Sequence, residues 1–144
     1  MSLFSAMAVS ASGMAAERTR AELLVENLAN AETTRTPEGG PYRRKDAVFT
    51  SASADSPFAS AFDTAMRAPE GVAVADIVSD TRDPERRYLP GHPDADSEGY
   101  VAFPRINPAE DMVDLMGAAR SYQANVAAIS AVKDMIERSL DLLR

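Results

Sequence analysis

Residues 108–144 read PAEDMVDLMGAARSYQANVAAISAVKDMIERSLDLLR, with no proline after the first position and a single glycine, Gly117. Met112, Leu115, Ala119, Tyr122, Val126, Ile129, Lys133, Ile136, Leu140 and Leu143 recur at alternating steps of three and four, and nine of these ten are apolar or aromatic. That step is the heptad seam of a helix that packs lengthwise on another helix. Asn107-Pro108-Ala109-Glu110 supplies a start: Asn as N-cap, Pro at the first helical position, Glu three residues on. Asp111 and Asp114 add negative charge near the positive end of the helix dipole. A helix over 108–143 would run about 54 Å at ~1.5 Å per residue.

Moving outward, the N-terminal flank repeats the pattern more weakly. Leu3, Met7, Ser10, Met14, Glu17, Ala21, Leu24, Leu28 and Ala31 alternate steps of four and three, with Ser10 and Glu17 interrupting the stripe. Between the flanks the helix breakers gather: all nine prolines lie from Pro37 to Pro108, with five of the seven glycines. The chain therefore divides into an N-terminal helix over 1–34, a β-rich unit over 35–107 and a C-terminal helix over 108–144. Tyr42–Thr50, Val72–Val78, Arg87–Leu89 and Tyr100–Phe103 read as strands, bounded by turns such as Gly39-Gly40-Pro41 and Pro90-Gly91. Residues 51–71 form an insertion rich in Ser, Ala and Asp, in which Phe58, Phe62 and Met66 fit a short amphipathic helix or a loop with apolar anchors. The fold class is α+β. Two arrangements suit the flanks: an antiparallel helical hairpin inside one chain, or seams shared between subunits, and the second is favoured because both helices exceed what a 144-residue core requires.

Composition points the same way. Leu, Ile, Val and Phe together make 28 of 144 residues, alanine another 26, and the formal charge is −7. A core this poor in large side chains offsets conformational entropy badly on its own, and burial against other chains is the remedy. Cysteine is absent, which excludes disulfides, thiolate metal sites and cysteine nucleophiles. A net acidic chain without a long basic run is a poor general nucleic-acid binder. No apolar run reaches the ~18 residues of a membrane span. The first basic residue is Arg18, so the start lacks the pattern of a cleaved secretory signal.

Candidate chemistry is thin. Asp94-Ala95-Asp96-Ser97-Glu98-Gly99 opens like a calcium loop, but the twelfth position, where a bidentate acid belongs, is Arg105. Ser130-Ala131-Val132-Lys133 matches S-x-x-K, without the companion motifs of penicillin-recognising enzymes. Lys133 fits better as a register-setting polar residue in a seam. His92, the lone histidine, sits in a Gly-His-Pro turn. Arg43-Arg44-Lys45 and Arg86-Arg87 could clamp an acidic neighbour or lie on a solvated strand face. The expectation is a non-enzymatic chain with no catalytic, metal or cofactor residues. Its competitors are a self-contained binding module with a helical stalk, and a hydrolase using Ser130 and Lys133.

Asn27-Leu28-Ala29-Asn30-Ala31-Glu32-Thr33 resembles the N-L-A-N-x-x-T signature of bacterial flagellar axial proteins of the rod and hook. Arg120-Ser121-Tyr122-Gln123-Ala124-Asn125-Val126 resembles the C-terminal motif of that family. Met1-Ser2-Leu3-Phe4, Gly40-Pro41-Tyr42-Arg43, Val72-Ala73-Val74-Ala75-Asp76-Ile77, Tyr88-Leu89-Pro90-Gly91-His92-Pro93 and Gly99-Tyr100-Val101 extend the likeness over nearly the whole chain, toward the proximal rod. The insertion at 51–71 departs from it. The resemblance implies a structural subunit of the rod, exported through the flagellar type III apparatus without cleavage and assembled in the periplasm. It implies terminal helices packed in an inner coiled-coil tube, an outward β unit, and as neighbours FlgB, FlgF, FlgG, the adaptor FliE and further copies. The expected interface residues are Leu3, Met7, Met14, Leu24, Asn27, Leu28, Asn30, Met112, Leu115, Ala119, Tyr122, Val126, Ile129, Ile136, Leu140 and Leu143. For Asn27 and Asn30 a local role, ending the helix near the middle unit, fits equally well.

Overall fold

The computed structural model describes residues 3–52 and 71–141. Their order is α1 (Leu3–Ala29), β1 (Lys45–Ala52), β2 (Gly71–Ser79), β3 (Glu85–Tyr88), β4 (Tyr100–Phe103) and α2 (Pro108–Asp141). The fold is α+β: two long terminal helices and two small antiparallel sheets, β1 with β2 and β3 with β4. Phe58, Phe62 and Met66 of the insertion, and Leu143, lie outside the described residues.

Helix α1 stops at Ala29, short of residue 34, because Asn30 begins a turn. Its amide bonds back to Glu26 O and Asn27 O, its side-chain amide donates to Glu26 O at 2.9 Å, and its Oδ1 accepts from the Thr33 hydroxyl. An Asn side chain that competes for the last carbonyls ends a helix in this way. Helix α2 begins where its sequence signals it. Asn107 Oδ1 accepts the Ala109 amide and Asn107 O accepts that of Asp111, satisfying donors that the first turn leaves free.

The helices pack on each other within the chain, as an antiparallel pair. Gly13 on α1 lies against the Asn125 side chain near the middle of α2. At the other end, Arg44 and Lys45 tie the first turn of α2 to the last turn of α1. The hairpin β1–β2 lies along another side of α1: Lys45 bonds to Asn27, and the Val72 amide donates to Ser12 Oγ at 3.0 Å. Along β1 the inward positions alternate, with Lys45, Ala47 and Phe49 half-buried and Asp46, Val48 and Thr50 exposed. The register steps by one at Val48/Phe49, where Ala75 is left unpaired as a bulge. Val101 and Phe103 of β4 are buried along with Tyr42, and the Arg87 guanidinium covers the Phe103 ring at 4.8 Å. Thus α1 is covered by α2 and by the hairpin, while among the described elements α2 packs on α1 alone.

Candidate assembly interface

On α2 the packed side comprises two columns, Asp111-Ala118-Asn125-Val132 and Leu115-Tyr122-Ile129-Ile136; on α1 Gly13 meets Asn125, Ala16 and Leu23 are buried along the same helix, and Asn27 bonds to the start of β1. Ala16, Leu23, Asn27, Asp111, Ala118 and Val132 are buried; Leu115, Asn125, Ile129 and Ile136 are half-buried. The ten-residue seam read from the sequence therefore splits. Leu115, Ile129 and Ile136 belong to the packed side, and Tyr122, in line with them, is exposed at its rim. Met112, Ala119, Val126, Lys133 and Leu140 sit one residue beyond the packed column, about 100° around the helix, and are exposed. The sequence pattern preferred that column because it is more apolar than Asp111-Ala118-Asn125-Val132.

Two polar arrangements explain why the more polar column is inside. Gly13 leaves room for the Asn125 amide, whose Nδ2 donates to Ser121 O at 3.0 Å; a β-carbon on Gly13 would sit 3.1 Å from that nitrogen. Asp111 is fully buried with the Arg44 guanidinium 3.1 Å away, but neither carboxylate oxygen has a well-directed hydrogen bond. Burial raises its pKa, Arg44 opposes that, and Asp46, Asp114 and Glu110 reinforce it.

Asn27 is the second buried polar anchor. Its Oδ1 accepts from the Tyr42 hydroxyl at 3.0 Å and the Lys45 amide at 2.9 Å, while its Nδ2 donates to Lys45 O at 2.9 Å. The side chain thus pairs with the peptide of Lys45 as a strand would, and fixes the start of β1 against the last turn of α1. Lys45 Nζ binds Glu26 at 2.6 Å over the same corner. Burial, aided by the Glu26 carboxylate, pushes the Tyr42 hydroxyl up to about 12.

Other predicted interface residues on α1 are mixed. Leu24 is buried, Met7, Met14, Leu28 and Asn30 are half-buried, and Leu3 is exposed. Sequence reading missed Phe4, Val25, Val113, Met116 and Met135, which are all exposed large side chains on the helices. The signal was present as a second column: Phe4, Ala8, Ala11, Ala15, Arg18, Glu22, Val25 and Ala29 keep the four-three step and are all exposed.

The chemical candidates are occupied locally. Lys133 faces Glu137 at 3.8 Å on the open side of α2, and Ser130 shares that surface. His92 Nδ1 accepts the Asp94 amide, and its ring meets Phe103 edge-on. Asp96 Oδ1 accepts the amides of Tyr100 and Glu98, which hold its carboxyl below the usual range. Among the described residues no group of three or more His, Asp or Glu is placed to hold a metal ion. The basic clusters brace the chain itself: Arg43 donates to Asp80 O, Arg44 reaches Asp46 and Asp111, and Arg86 and Arg87 pair with Asp96 and Glu85. No described helix is long and apolar enough to cross a membrane.

A long helix packed on one side and open along a partly apolar column on another is the form of an assembly subunit. Residues 97–142 match the sequence model for the C-terminal region of flagellar basal body rod FlgEFG proteins. The chain is 37% identical to the flagellar basal-body rod protein FlgC of Borreliella burgdorferi, over 100% of this chain and 99% of that protein. It is 39% identical to FlgC of Bacillus subtilis (99% of each chain) and 35% identical to FlgC of Salmonella typhimurium (99% and 98%). The chain belongs to the FlgC family of flagellar basal-body rod proteins, a structural family and not an enzyme family.

Proposed function

We propose that this chain builds the proximal rod in the periplasm, exported by the flagellar type III apparatus without cleavage, and transmits torque from the membrane ring toward the hook. Its neighbours in this reading are further copies, FlgB, FlgF, FlgG and FliE, with both helices in an inner coiled-coil tube and the β unit outward. The observation that carries it is the open face of α2, where Met112, Met116, Val126 and Leu140 are 57%, 56%, 47% and 61% exposed on a helix already seated on α1. Apolar area of that extent on a long rigid helix is stabilised by neighbours. A drive shaft resists shear when each subunit's ordered helices are shared with several others. The predicted interface residues that face outward are Met112, Ala119, Tyr122, Val126 and Leu140; Leu24, Asn27 and Ile129 support them by holding the hairpin together.

The test is Val126→Asp. The variant folds, because Val126 lies outside the packed seam, and cells carrying it as their sole copy lack rods and do not swim. Normal swimming overturns the reading.

A further inference from the structure

Both helices present an open column with the same step. On α1 it runs Phe4, Ala8, Ala11, Ala15, Arg18, Glu22, Val25, Ala29; on α2 it runs Met112, Met116, Ala119, Gln123, Val126, Ser130, Lys133, Glu137, Leu140. Every one of these residues is exposed. Each column carries one ion pair, Arg18–Glu22 at 2.8 Å and Lys133–Glu137 at 3.8 Å, and all four side chains are more than 60% exposed. The order of charge is the same in both, positive then negative. Two such columns laid antiparallel can place each positive charge against a negative one.

We infer that the open column of α1 in one copy docks antiparallel on the open column of α2 in a second copy, with Arg18 facing Glu137 and Glu22 facing Lys133. This deepens the rod reading and rests on it, naming the partner and the register of the open face. The same register sets Ala15 under Leu140, Val25 by Ser130 and Ala29 under Val126, so the large side chains of α2 meet small ones on α1. One heptad to either side breaks the charge match. In the register that slides α1 toward the start of α2, Arg18 meets Ser130 and Glu22 meets Val126. In the opposite one, Glu22 meets Leu140. A parallel arrangement that sets Arg18 on Glu137 sets Glu22 on Asp141, a like-charge clash.

Orientation supports the contact independently. Within one chain α1 and α2 are antiparallel, so copies that point the same way necessarily offer α1 to α2 in antiparallel sense. In its own hairpin Ala15 lies near the level of Gln123, since Gly13 opposes Asn125; in the contact it faces Leu140. The shift from 123 to 140 displaces one copy by about 25 Å along the helix axis. In the α1 column Ala15 also stands two positions, about 200°, on from Gly13, where α1 meets Asn125, so the column lies on another side of α1 from that contact. A contact between different surfaces, repeated with a translation, generates an open-ended helical array.

The test uses charge exchanges that keep net charge and the pair within each helix. Arg18→Glu with Glu22→Arg, or Lys133→Glu with Glu137→Lys, sets like charges opposite each other in the contact. Each full-length variant is expected to fold as the parent does and to self-associate at least tenfold more weakly in sedimentation at low salt. Mixing the two variants, or combining all four substitutions, restores association. Parent-like association of both variants, failure of the mixture, or no association of the parent chain itself overturns the inference. A second measurement does not depend on charge. Ala15→Cys with Leu140→Cys, in a chain free of other cysteines, gives a ladder of disulfide-linked multimers on oxidation, because the two positions are too far apart to close within one copy. Oxidation to monomers alone overturns it. If Val126→Asp abolishes swimming while both exchanges associate and swim as the parent does, the rod reading stands and this register falls.

Discussion

Asn27 illustrates what one residue does here. It is fully buried, and its amide joins the end of α1, the start of β1 and Tyr42 through three hydrogen bonds. Replacing it with Ala leaves both Lys45 backbone groups unpaired in a buried corner and the Tyr42 hydroxyl with Glu26 alone, at about 1–3 kcal/mol for each orphaned group less what relaxation recovers. We expect Asn27→Ala to lower stability by about 3 kcal/mol in urea unfolding and to weaken protection of the Lys45 amide in hydrogen exchange. Gly99 is the second such position. Its φ is +83°, and a β-carbon there would lie 2.9 Å from the Tyr88 ring and 3.2 Å from Pro90 Cβ. Gly99→Ala therefore costs about 1–3 kcal/mol, and the loss shows as a shift in the urea midpoint with unchanged slope. The N-L-A-N signature exposed Asn27 in the sequence but left open whether its bonds fall inside or between chains. An amide serves either role equally, and only the placement of Lys45 decides it.

At the scale of elements, the sequence was legible where period and punctuation agree. Helix α2 starts at Pro108 as its cap predicts, and β4 spans Tyr100–Phe103 as read. The other strands shift by up to three residues, since their ends are set by pairing between β1 and β2 and between β3 and β4 rather than by local residues. The face of α2 that packs on α1 was illegible for a specific reason. Burying Asp111 is unfavourable unless Arg44 stands beside it, and Arg44 is 67 residues away in the chain. That junction has a testable pH dependence. The folded pKa of Asp111 is raised, mainly by burial, so its contribution to stability is fully present below the unfolded value near 4 and is lost as pH rises through the folded value. Asp111→Asn should remove this dependence and melt at or above the parent at neutral pH. Arg44→Ala should lower stability by about 3 kcal/mol by leaving a buried charge without its partner. Thermal melts of the three proteins between pH 4 and 7.5 compare the slopes directly.

For the molecule as a whole, the interior is narrow. Among the described residues Val101, Asn27 and Asp111 are the largest side chains fully hidden from solvent, and two of the three are polar. Sixteen large apolar side chains among the described residues are exposed, ten of them on the two helices. Such a chain is marginal alone and is stabilised by whatever binds its folded form, by RT ln(1 + [L]/Kd), or about 2.7 kcal/mol at a hundredfold excess over Kd. For a chain of this length that corresponds to roughly 5–10 °C in melting temperature. The melting temperature of the parent should therefore climb with protein concentration. That of Val126→Asp should stay flat at the dilute-limit value of the parent, because Val126 contributes to the open face and not to the hairpin. Ile129→Asp should differ in kind. Ile129 is half-buried on the packed side, so its variant melts well below the parent at every concentration. A parent melt independent of concentration would mean that the hairpin alone supplies the stability, and the open column of α2 would then need another explanation than neighbouring copies.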